Sequence, residues 1–210
     1  MENNIVQLIM PMNLCIAGFS HSGKTSIVLK LIKNRTKMFD KPIAKILYCY
    51  GIWNASYSSL EADEDVTFLE GLPSEKNVNE LPQMSIIVFD DMMQEVVQSK
   101  YIETLFSRGG HHLSIGLIYV SQNLYQQGPY ARSINLNLHY LFLTNNPRDY
   151  QQISCLGRQL GIGAKLLEVY KEIMQIPFSH LVINLSPYTE IKYKLLSDIF
   201  NKERIIAFDV

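Results

Sequence analysis

The chain has 210 residues, 47% of them hydrophobic, with a formal net charge of -1. That length suits one sizeable core, and the charge excludes a strongly basic molecule, so any nucleic-acid contact must use a local patch or the combined surfaces of several copies. Three widely spaced cysteines, Cys15, Cys49 and Cys155, form neither a disulfide framework nor a paired-thiol metal site; two sit in apolar runs, as buried small hydrophobes in a reducing compartment do.

In chain order, Glu2 in place of a basic leader and Pro11 in the first apolar stretch argue against a signal peptide or a membrane helix, and a soluble intracellular protein is expected. Residues 14–17 form a short apolar run that predicts a buried strand. It leads into Gly18, Phe19, Ser20, His21, Ser22, Gly23, Lys24 and Thr25, the spacing of a phosphate-binding loop. Behind it, Ile27, Val28, Leu31 and Ile32 recur at helical spacing to about residue 34. Lys30, Lys33, Arg35 and Lys37 cluster near that helix end, where cations complement the dipole. Residues 45–50 predict a second strand, residues 51–65 an irregular excursion with an acidic run, and residues 66–69 a short strand.

Residues 85–89 are continuously apolar, the pattern of a parallel strand covered on both faces, and end in Asp90 and Asp91. Met92, Met93, Val96, Val97, Tyr101, Ile102, Leu105 and Phe106 then predict one amphipathic helix stopped by Gly109 and Gly110. Strands are expected at 115–120, ending before Gln122, at 140–143, and at 180–185. Asn146, Pro147 and Asp149 carry helix-start chemistry for a helix over 148–160, with another over 164–174. The alternation of strands and helices predicts an α/β fold with a mostly parallel central sheet. The division expected is a P-loop core over 1–186 and a C-terminal extension over 187–210, which shows no clear period.

The chemistry follows from the strand ends, because ligands of open parallel sheets gather there. Loop amides from Gly18 to Ser26 and the helix N-terminus suit the phosphates of a nucleoside triphosphate; Lys24 reaches the terminal ones and Thr25 suits Mg²⁺. An apolar strand ending in Asp90 supplies the carboxylate that orders the metal, and Asp91 can accept a proton from the attacking water. Gln122, which both donates and accepts, can hold that water. Arg148 opposes the dipole in the first turn of its helix, which points to service for a partner, such as the nucleotide of a neighbouring subunit. Arg108, beside His111 and His112 in what reads as a flexible basic loop, is open to three readings: a second arginine finger, a DNA phosphate contact, or a helix cap.

Residues 12–25, 68–73, 86–92, 106–124 and 135–149 together resemble the poxvirus-type genome-packaging ATPases of the FtsK/HerA superfamily, especially forms found in Polinton/Maverick elements, adintoviruses and virophages. The resemblance implies a RecA/FtsK–HerA-like P-loop fold and a DNA-stimulated ATPase that drives double-stranded DNA into preformed capsids. It implies homo-oligomeric rings of five or six subunits, capsid proteins as partners, no membrane, and a place at the site of virion assembly. It carries Lys24 and Thr25 over as phosphate and Mg²⁺ ligands, Gln122 as polar sensor and Arg148 as the trans-acting arginine. One departure is Asp90-Asp91 where many members of the superfamily have Asp-Glu. Two further classes compete: a small-molecule P-loop kinase, which would want an arginine-rich lid that this chain lacks, and an assembly factor holding ATP as a structural ligand. A GTPase is disfavoured because residues 90–93 lack the switch glycine and Asn201, Lys202, Glu203 and Arg204 lack the Asp that reads guanine.

Overall fold

The computed structural model describes residues 7–201 and 205–209, apart from the side chain of His111. Glu2 of the leader and Lys202, Glu203 and Arg204 therefore lie outside the described residues. Among the described residues nine strands make one sheet: β1 (Asn13–Ala17), β2 (Ile46–Tyr50), β3 (Val66–Glu70), β4 (Ile86–Asp90), β5 (Gly116–Ser121), β6 (Tyr140–Leu143), β7 (Leu181–Asn184), β8 (Leu195–Ser197) and β9 (Ile206–Ala207). Their spatial order is β3-β2-β4-β5-β1-β6-β7-β8-β9. From β3 to β6 all pairings are parallel; β7, β8 and β9 add on antiparallel.

The apolar runs become strands because both faces are covered. Along β4, Ile87 and Phe89 enter one core with Val96, Phe106, Ile153 and Tyr170, while Ile86 and Val88 enter the other with Ile27, Val28, Leu31 and Ile32. Alternate residues thus serve opposite layers, so no position along the strand can be polar until it ends. The helices are α1 (Lys24–Lys33), α2 (Arg35–Met38), α3 (Glu75–Asn79), α4 (Met93–Gln98), α5 (Lys100–Thr104), α6 (Gly110–Leu113), α7 (Ala131–Leu136), α8 (Tyr150–Gln159) and α9 (Lys165–Ile173). None among the described residues is long and apolar enough to cross a membrane.

Register decides where the chemistry meets. Ala17 pairs with Ser121 on one side and Leu143 on the other, and Phe89 pairs with Tyr119, so β1, β4, β5 and β6 finish at one edge. Because β5 lies between β1 and β4, residue 122 emerges between the phosphate loop and Asp90.

The helix expected after Asp91 is not continuous. Ser99 leaves the helical region (φ -91, ψ 116), and its side chain caps the restart by accepting from Ile102 N. The chain then passes through a π-turn, Leu105–Gly109, into α6, so Gly109 and Gly110 do not stop it and Arg108 lies on a helical turn. The reason for glycine at 110 is contact: a Cβ there would lie 3.0 Å from Ile115 O. The apolar positions Val96, Val97, Ile102, Leu105 and Phe106 are nevertheless all buried. Arg35 is no simple helix-end cation, since it pairs with Asp63 at 2.6 Å and Asp65 at 3.2 Å, fastening the acidic excursion to α2. Cys15 and Cys49 are buried, which pushes both thiols up to about 12 and keeps them unreactive.

Candidate active site

The loop after β1 is pinned by its neighbours before it turns. Gly18 N donates to Ser121 O at 3.2 Å and Phe19 N to Asn145 O at 3.2 Å, so it hangs from the ends of both flanking strands. Gly18 tolerates no side chain, since a Cβ would fall 1.8 Å from Thr144 Oγ1. His21 (φ 62) and Gly23 (φ 94) take left-handed conformations, the changes of hand from which backbone anion cradles are made. Ser22 Oγ lies 2.5 Å from Thr144 Oγ1. Lys24 opens α1, is 9% exposed, and donates to Gly18 O at 2.9 Å and Phe19 O at 2.8 Å. Burial lowers its pKa, and the charges of Asp90 and Asp91 oppose that shift.

Asp90 is the last residue of β4 and is 2% exposed. Its Oδ2 accepts three hydroxyl bonds, from Tyr48 at 2.7 Å, Thr25 at 3.0 Å and Tyr57 at 3.1 Å. Burial raises its pKa, and the three donors pull the other way. A buried carboxylate is costly without such partners; here it is held ionisable and in one orientation. Asp91 has φ 56, is exposed, and stands at the cavity wall with Gln122, also exposed.

These groups surround a cavity of about 870 Å³. Ser20, His21, Gly23, Lys24, Thr25 and Ser26 wall it, as do Asp90, Asp91 and Gln122. Gly18 and Ser22 instead face Thr144, and Phe19 is half exposed. Arg148 does not join them. It lies exposed on a short 3-10 turn, Pro147–Asp149, and does not line the cavity; neither does Arg108. The turn carrying Arg148 is firmly held: Asn146 Oδ1 accepts from Arg148 N at 3.2 Å, and Asn146 Nδ2 donates to Asp149 at 2.8 Å. Tyr170 OH accepts from Asn146 N at 2.7 Å and donates to Thr144 O at 2.9 Å, tying the turn back to the strand end that meets the phosphate loop.

No protein-family model matches the chain, and no curated protein matches it. Solved structures do. The chain is similar to B204, the DNA-packaging ATPase of Sulfolobus turreted icosahedral virus, at 14% identity over 84% of this chain and 93% of that one, with a TM-score of 0.57. It is similar to the genome-packaging NTPase B204 of Sulfolobus turreted icosahedral virus 2, solved with ATP-gammaS, at 13% identity over 85% of this chain and 95% of that one (TM-score 0.54). The cytoplasmic domain of the type VII secretion ATPase EccC of Thermomonospora curvata matches at 12% identity over 94% of this chain and 25% of that one (TM-score 0.56). The likeness is one of fold: the chain shares the fold of these packaging and secretion ATPases.

Within this site, several contributors escaped sequence reasoning. Tyr48 lies in the middle of β2, where an apolar strand hides a hydroxyl aimed across at Asp90. Tyr57 comes from a 3-10 turn, Ala55–Leu60, inside the excursion that had no readable period. Trp53 packs against Tyr57 (5.4 Å), Tyr50 (5.3 Å) and Phe68 (5.2 Å), closing one wall of the cavity. The density of aromatics at 48, 50, 53 and 57 was the available signal. Phe178 and His180, from the segment before β7, line another wall, and nothing in the local sequence marks them.

Proposed function

We propose that this chain is the ATP-hydrolysing subunit of a motor that drives double-stranded DNA into a preformed capsid, working as a homo-oligomeric ring of five or six. One observation carries the reading: the phosphate loop, the buried Asp90 and the exposed Asp91 and Gln122 converge on one cavity, in a fold shared with viral packaging ATPases. The neighbour solved with ATP-gammaS supports ATP as the nucleotide.

The residues fit Mg²⁺. Thr25 Oγ1 and the Asp90 carboxylate offer hard oxygens 3.0 Å apart beside the loop, the donor type that this ion takes. When bound, the ion would neutralise charge between the terminal phosphates. In this reading the loop amides and Lys24 hold the phosphates. Asp91, exposed and at the cavity wall, accepts the proton of the attacking water, and Gln122, emerging between loop and acid, orients that water. Arg148 faces outward and stabilises charge in the site of the next subunit. DNA is gripped through its phosphates, so binding is independent of sequence and weakens with salt; with a net charge of -1 per chain, the grip depends on a local patch assembled around the ring. Capsid proteins are the other partners, at the site of virion assembly.

The test is ATP turnover with and without long double-stranded DNA, at two salt concentrations. Stimulation by DNA that fades at high salt is the expected result. Turnover that requires a small phosphate acceptor would identify a kinase instead, and tight ATP binding without turnover an assembly factor.

A further inference from the structure

The cavity is larger than a triphosphate needs, and Trp53 and Phe178 are among the aromatic side chains at its walls. Trp53 belongs to the Asp90 side, packed on the ring whose hydroxyl holds that carboxylate. Phe178 belongs to the other: its Cδ1 lies 3.6 Å from where a Cβ on Gly23 would be, beside the loop's last turn. A nucleotide gripped by this loop has its terminal phosphates at Lys24, Thr25 and Asp90. Its sugar and base must then lead away from Asp90, along the face of α1 where Ser26, Ile27 and Lys30 wall the cavity.

At that end the chemistry changes from ionic to apolar. Phe178 is 76% exposed and sits at φ 59, a left-handed conformation that bulky residues rarely take, so the backbone presents the ring instead of burying it. The segment is anchored on both sides. Ser179 Oγ donates to Ile173 O at 2.6 Å, at the end of α9, and the His180 ring stacks on Phe142 at 6.0 Å. His180 is 8% exposed and its Nε2 has no hydrogen-bond partner among the described residues. Burial, helped by the charge of Lys30, holds its pKa down to about 4, so the imidazole is neutral. The Lys30 ammonium is turned over the Phe200 ring, 5.7 Å from its centroid. An exposed aromatic face and a neutral imidazole lining the same cavity suit an uncharged planar ring and not another phosphate.

We propose that Phe178 is the stacking platform for the nucleobase of the bound nucleotide, which makes it the residue that separates nucleotide from bare polyphosphate. The proposal rests on the nucleotide reading above. It is tested by measuring the affinities of the intact chain for ATP and for tripolyphosphate, which shares the phosphates and lacks the base. Phe178→Ala is expected to weaken ATP about tenfold and to leave tripolyphosphate within about twofold, while Phe178→Trp keeps ATP affinity. Equal losses for both ligands, or none for either, would overturn it, as would an ATP-specific loss in Trp53→Ala instead. A wild-type chain that binds ATP no more tightly than tripolyphosphate overturns this proposal alone. A chain that binds neither ligand, or binds ATP undiminished in Lys24→Ala, overturns the nucleotide reading with it.

Discussion

Asp90 and Arg148 stand near the ends of strands on either side of the phosphate loop, in opposite surroundings. Asp90 is 2% exposed and held by three hydroxyls from three different parts of the chain. Arg148 is exposed, and among the described residues only its backbone is held. On the proposed reading, the phosphate and metal half of the site is assembled within one chain, while Arg148, the guanidinium proposed to act on it, is displayed outward on a hydrogen-bonded turn. A group meant for its own nucleotide gains from burial and orientation; a group meant for a neighbour must stay at the surface.

The largest effect should come from the two halves of that contrast. Lys24→Ala and Arg148→Ala are each expected to lower kcat by about a thousandfold, but only Lys24→Ala should lose ATP affinity. Mixing the two inactive variants should recover activity, because some interfaces then pair an intact loop with an intact arginine. If both variants assemble and the mixture stays dead, Arg148 does not act across subunits. Asp91→Asn should lower kcat by about a hundredfold with ATP binding retained, as loss of a proton acceptor does. An unchanged kcat would move the base elsewhere in the cavity.

Smaller effects probe how Asp90 is held. Tyr57 donates to Asp90 and thereby lowers its pKa against burial, so Tyr57→Phe should raise that pKa and move the acid limb of the kcat profile to higher pH. The loss at alkaline pH should stay within about tenfold, near the worth of one hydrogen bond to a charged group. A profile that does not move would make Tyr57 packing alone. The last prediction concerns stability. His180 has a native pKa of about 4 against an unfolded value near 6.5, so its contribution is fully present above pH 6.5 and lost as pH falls towards 4. That is worth about 3 kcal/mol, and His180→Phe should flatten this part of the pH dependence in thermal melts.

The loop from Gly18 to Thr25, the strand ending in Asp90 and the parallel alternation of strands and helices were legible in the sequence because each is local. A β-strand buried on both faces must be apolar throughout, and a phosphate cradle needs its glycines at fixed spacing. The helix after Asp91 was legible in its buried positions but not in its breaks: Ser99 caps a restart that the apolar period does not mark, and Gly110 after the π-turn answers to close packing against Ile115 just before β5.

What the sequence determined by itself is therefore the fold class and the residues that announce themselves in runs: the loop, the two acids, and Gln122 just past a strand. Only the tertiary structure decided that Tyr48 and Tyr57 hold Asp90, that Phe178 stands over Gly23, and that Arg148 lies outside the cavity of its own chain. The physical reason is sheet order. Placing β2 beside β4, and turning β7 antiparallel beside β6, brings together residues 33 to 155 positions apart, and no local pattern encodes which distant side chain will close a wall.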